Sequence, residues 1–192
     1  LVDLVLCDGK NLLRAGVHAE PAAFAVVGSE GQFWEGIGNF DNPFTGSFDG
    51  AGHSISDFVQ TIKKDSGIFG YTYGAYIHDL SVDGRIYNND ISGNVGFIVA
   101  YAENTNIIRC HVSGMLDGAR YLGGIAGFYS VGLADNDTVR ISECTNKADL
   151  YNSTDMGGMV GETNIISGNA IIEKCINYGS VNAFSFAGGM LG

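Results

Sequence analysis

The sequence predicts an all-β protein, a right-handed parallel β-helix or β-solenoid made of repeats of about 30 residues. Two recurring signatures carry this expectation, and no helical period competes with them. The first is a glycine-rich segment seen five times, as "SGIFGY" (66–71), "VGFIVAY" (95–101), "LGGIAGF" (122–128), "MGGMVGE" (156–162) and "AGGMLG" (187–192). From Gly67, the equivalent positions Phe97, Gly124, Gly158 and Gly189 follow in steps of 30, 27, 34 and 31 residues. The second signature reads "YIHDLSVDGRI" (76–86), "NIIRCHVSGML" (106–116), "RISECTNKADL" (140–150) and "IIEKCINYGSV" (171–181). It aligns Ile77, Ile107, Ile141 and Ile172, then Leu80, Cys110, Cys144 and Cys175, then Val82, Val112, Asn146 and Asn177.

Each repeat holds short runs rich in Ile and Val, broken by Gly, Asn, Asp or Ser, which are strand and turn signals. A unit of this size cannot bury its own apolar face. Stacking copies at the strand spacing of ~4.8 Å gives each a neighbour above and below. The four isoleucines then form an inward ladder, with the Leu/Cys positions beside them. The longer third repeat places its extra residues in "YSVGLADNDTV", Tyr129 to Val139, expected as an outer loop. Trp34 to Phe58 reads as an irregular first coil, and residues 1–33 as an N-terminal cap or preceding segment. The last glycine signature stops at Gly192, which reads as a solenoid truncated in mid-coil.

Composition narrows the function. The formal charge is −11 and the ten Lys and Arg residues form no run, which argues against nucleic acid and anionic membranes as partners. No apolar run reaches the roughly 18 residues of a membrane span. The start, "LVDLVLCDGKNL", has no basic, apolar and cleavage-site succession, so it reads as lying inside a longer polypeptide.

"FTGSFDGAGHSI", Phe44 to Ile55, raises the question of an Asp49/His53 acid–base pair. The competing and preferred reading is a tight turn, with Gly50 and Gly52 at positive φ and Asp49 accepting its own backbone amides. No catalytic residue is assigned. Cys110, Cys144 and Cys175 share one phase. Parallel Cβ vectors on neighbouring coils stay too far apart for an unstrained bridge, so these are expected as reduced, buried residues. No C-x-x-C pair, H-E-x-x-H or G-x-S-x-G occurs, and no metal or cofactor is assigned. His78 and His111 are expected to face outward on adjacent coils. "ADND", Ala134 to Asp137, offers too few oxygens for calcium and reads as a solvated loop. Arg85, Arg109, Arg120 and Arg140 are the basic candidates for a polysaccharide-cleaving groove.

The aromatics give the candidate ligand-binding residues Tyr71, Tyr73, Tyr76 and Tyr101. Tyr71, Tyr101 and Phe128 follow the glycine signature in three successive coils. Exposed, such a stripe stacks on a sugar or a protein; buried, it is an aromatic ladder between coils, which is the preferred alternative.

The motifs "GIFG", "GIAG", "GMVG" and "GMLG", with "FIVA" as a degenerate copy, resemble the Gly–Leu–any–Gly core of bacterial surface proteins carrying the GLUG motif. The stretch from Trp34 to Ile55 resembles the start of such arrays, so the resemblance covers residues 34–192. It departs at Phe97 and Ala100, where small residues are usual. It implies an extracellular or cell-surface location, and repeat regions like those of adhesin-like proteins and immunoglobulin A1-specific metalloproteases, with no catalytic residues in the repeat itself. The expected function is a non-catalytic repeat module, a stalk or adhesion surface, monomeric within a longer chain, whose partner is a host glycan or a host or bacterial surface protein. Two alternatives stand beside it: the accessory region of a larger secreted metalloprotease, and a β-helix polysaccharide-degrading enzyme.

Overall fold

A computed structural model describes residues 5–7, 12–14, 23–25, 34, 36–62, 64–88, 92–134 and 137–192. Each coil passes through three parallel sheets. The first face stacks Phe69–Tyr73, Val99–Glu103, Ala126–Gly132 and Val160–Ser167. The second stacks Ser47–Asp49, Tyr76–His78, Asn106–Ile108, Thr138–Ser142 and Asn169–Glu173. The third carries the long strands Ser54–Ile62, Ser81–Asn88, His111–Gly123 and Thr145–Gly157, with Ala23–Ala25 at one edge and Ile176–Asn177 at the other. The chain is thus a parallel β-solenoid. Among the described residues no helix is long and apolar enough to cross a membrane.

The register agrees with the spacing in the sequence. Ile77 pairs with Ile107, Ile107 with Ile141 and Ile141 with Ile172, and Phe48 extends the column into the first coil. Phe48, Ile77, Ile107 and Ile141 are buried, and Ile172 is half-buried at the end of the stack. Burial of one such side chain contributes roughly 1.5–3 kcal/mol. In the Val82–Val112 column, buried Asn146 sits beside Val112. Its Oδ1 accepts the Ala148 N–H at 2.8 Å and its Nδ2 donates to Asn177 Oδ1 at 2.9 Å. The polar group is buried because its hydrogen bonds are made. Phe97 is wholly buried in the core, in line with Gly67 and Gly124.

The glycine signature exists because the chain makes a close approach there. A Cβ on Gly123 would lie 2.1 Å from the Ala126 carbonyl oxygen and 2.6 Å from the Gly161 nitrogen, on backbone that cannot move aside. Gly157 and Gly188 continue that column.

The first coil begins at Trp34, which is buried and donates its indole N–H to the Gly67 and Ile68 carbonyls. On the first face its described residues make isolated bridges, Ile37 to Phe69 and Phe44 to Thr72, in place of a regular strand, in keeping with its irregular sequence. Of residues 1–33 the structure describes an antiparallel pair, Val5–Cys7 with Leu12–Arg14, and the strand Ala23–Ala25 along Ser54–Ser56. The rest of the expected cap lies outside the described residues.

Candidate functional site

Asp49 stands in the expected turn, with one correction to its backbone. Asp49 Oδ1 accepts the Ala51 N–H at 2.7 Å, and Gly52 has a φ of 74°. The second residue at positive φ is Ala51, at 51°, instead of Gly50. Gly50 is needed for a different reason: a Cβ there would stand 2.4 Å from the Asp79 carbonyl oxygen on the next coil.

Asp49 is brought toward His78. His78 Nδ1 lies 3.4 Å from Asp49 Oδ1 and 2.6 Å from Asp79 Oδ2. Arg109, one coil on, places Nε and Nη2 at 2.6 Å from the two Asp79 oxygens. The Arg109 guanidinium, and after it the His78 imidazole, hold the Asp79 carboxyl well below the usual carboxylate range. The ligand atoms of Asp49, His78 and Asp79 fall within 4.8 Å of one another, close enough to share a metal ion. A cation there would meet the Arg109 charge and a carboxylate whose two oxygens are already engaged. The cluster is an ion-paired corner between the second and third faces.

Beside this corner, a groove of about 530 Å³ runs along the third face, parallel to the solenoid axis. One wall is the column Ser54, Ser81, His111 and Thr145, whose members pair in register on successive coils. The second wall is Asp83, Ser113 and Lys147, with Tyr178 at the end. Alternation along each strand puts both columns outside, while Val82, Val112 and Asn146 between them are buried. Ser113 donates to Asp83 at 2.6 Å. The side chains of Ser54, Ser81, His111, Thr145 and Lys147 make no hydrogen bond or ion pair to any described residue. Sequence reading reached His111 as an outward residue and missed the groove. The usable signal was the alignment itself, since fixing the isoleucine ladder also aligns these polar positions.

The four candidate tyrosines are not gathered in one place. Tyr71 and Tyr101 stack with ring centroids 4.7 Å apart, and Tyr101 stacks on Phe128 at 4.8 Å. The edge of Phe40 covers Tyr71, which is only 8% exposed and gives its hydroxyl to Glu103. Burial, followed by the Glu103 carboxylate, raises the Tyr71 phenol above its ordinary range. Ring faces used in stacking are not available to a ligand, so this column packs coil on coil. Tyr73, on the same strand, is 48% exposed. Tyr76 lies on the second face against His78, at 4.7 Å.

The basic candidates are dispersed. Arg109 is bound to Asp79, Arg140 faces Glu173 at 3.2 Å and Arg120 lies over the Tyr121 ring at 4.9 Å. Cys110 and Cys144 are buried, Cys175 is half-buried, and all three are free thiols. In "ADND", Ala134 and Asp137 close a turn, while Asp135 and Asn136 lie outside the described residues.

No protein-family model matches the chain. No solved structure matches it either. Among known proteins it is similar to the zinc metalloprotease ZmpC of Streptococcus pneumoniae serotype 4, with 28% identity over 127 residues. The matched part is 66% of this chain and 6% of that protein's length, so the chain spans a small fraction of its relative.

Proposed function

We propose that these coils are a non-catalytic extracellular repeat module of a larger bacterial surface protein, serving as a stiff stalk that displays an outer face. The observation that carries this reading is the unbroken register of the Phe48–Ile77–Ile107–Ile141–Ile172 column. A stack in which each coil contacts only its neighbours extends in one direction, and its length is set by the number of coils. The test is to delete residues 34–192 from the parent protein and compare surface attachment with any chemical activity it has. A stalk or adhesion role predicts that attachment or reach is lost while small-substrate turnover persists. Release of reducing ends from polysaccharides by the isolated chain would overturn the reading in favour of a degrading enzyme.

A second reading is favoured by the similarity to a zinc metalloprotease. In it the coils are an accessory region of a larger secreted protease, and zinc and peptide cleavage belong to another part of that chain. An H-E-x-x-H helix in the flanking reading frame decides for it; a wall-anchoring signal without that motif decides against it.

A further inference from the structure

We infer that the third-face groove is a binding site for a neutral oligosaccharide laid along the solenoid axis. This goes beyond the stalk role and holds for either parent protein.

The groove differs from the neighbouring ion-paired corner in leaving most of its hydrogen-bonding side chains unspent, the Ser113–Asp83 pair excepted. At the corner, Asp79 is used by Arg109 and His78. In the groove, three hydroxyls, an imidazole and an ammonium, from Ser54, Ser81, Thr145, His111 and Lys147, have no partner among the described residues. They stand on successive coils, so Ser54 to Thr145 offers donors and acceptors at steps of ~4.8 Å over about 14 Å.

The chemistry of the lining selects the ligand. An extended peptide adding as a strand needs a free sheet edge. Ser81–Asn88, His111–Gly123 and Thr145–Gly157 are each hydrogen-bonded on both sides, so no backbone edge is offered. Val82 and Val112 line the floor but are themselves buried, so the groove offers no deep apolar pocket for a large side chain. Polyanions need several cations, and Lys147 is the lysine of this lining, with Asp83 opposing it. A chain of closely spaced hydroxyls without charge matches what remains. Tyr178, 67% exposed, stands at the end of the groove, where its ring can cover the C–H face of a sugar.

The experiment uses the full 192-residue chain on an array of neutral, sialylated and sulfated oligosaccharides, with the positives repeated by titration calorimetry. Neutral oligosaccharides of three or more rings are expected to bind. His111→Ala is expected to weaken them by about tenfold. Thr145→Trp, which fills the groove from an outward position, should abolish binding, and Tyr73→Ala on the first face should leave it unchanged. Melting curves of the variants identify any that fail to fold, and His111 is exposed enough for its truncation to be tolerated. The inference is overturned by no binding to any neutral glycan at millimolar concentration. Binding confined to charged glycans, or binding that folded His111→Ala and Thr145→Trp proteins retain, overturns it equally.

Discussion

Asp79 and Arg109 occupy the same corner of adjacent coils, both in the left-handed backbone region at φ 56° and 51°, and their side chains meet in a two-pronged ion pair. Glu143 and Lys174 continue the column at φ 57° and 55°, with Lys174 Nζ 4.0 Å from Glu143 Oε1. The column therefore alternates in sign: acid, base, acid, base. Non-glycine residues seldom take this conformation. They hold it here because the ladder of backbone hydrogen bonds runs through the corner, from Asp79 N–H to Ile108 O at 3.1 Å and from Arg109 N–H to Ser142 O at 2.9 Å.

The corner makes stability depend on acid in a defined window. The Asp79 carboxyl is held below its unfolded value near 4. A depressed folded-state pKa contributes stability above the unfolded pKa, lost as pH falls below about 4 toward the folded value. Asp79→Asn should therefore melt at a lower temperature than the parent at pH 7. The difference should shrink as the pH is lowered from about 4. A constant difference between pH 7 and pH 2 counts against the ion pair as its source.

Ile141 lies between Ile107 and Ile172 with no exposed surface. Ile141→Ala should cost about 2–5 kcal/mol in urea denaturation. Ile141→Asp puts an unpaired carboxylate between two coils and should prevent folding, seen as loss of the β-sheet circular-dichroism signal.

Asn146 tests whether the buried first member of the Asn146–Asn177 pair, which continues the Val82–Val112 column, is structural. Asn146→Val restores the residue type of Val82 and Val112, yet it leaves the buried Ala148 N–H without its acceptor. A loss of about 1–3 kcal/mol is expected, against the usual sign for an apolar core replacement. A more stable variant would show that the ladder is dispensable.

The thiols should be slow to react. The neighbouring Cys110 thiol, together with burial, pushes Cys144 up to about 12, so little thiolate forms near neutrality. Cys175 is raised too, through Cys144 and then burial, but it is half-buried at the end of the stack. Among the three, labelling at pH 8 should reach Cys175 first and Cys110 and Cys144 only on unfolding. The denatured chain should count four thiols. Prompt labelling of Cys144 in the folded protein, or a Cys110–Cys144 bridge found by mass spectrometry, contradicts this.

The sequence by itself determined the solenoid and its register. Inward positions are chosen from few residue types, so Ile77, Ile107, Ile141 and Ile172 repeat visibly, and the glycines repeat because a Cβ has no room. Outward positions carry no such restriction. Asp79, Arg109, Glu143 and Lys174 look unrelated when read along the chain; their complementarity exists only across the gap between coils. The same holds for Ser54, Ser81, His111 and Thr145, which become one wall of a groove when four strands lie side by side. For the tyrosines, the phase shared by Tyr71 and Tyr101 was legible, but whether their ring faces met each other or solvent was decided by the stacking distance. A repeat in sequence reports what each coil must bury, and tertiary structure decides what neighbouring coils jointly expose.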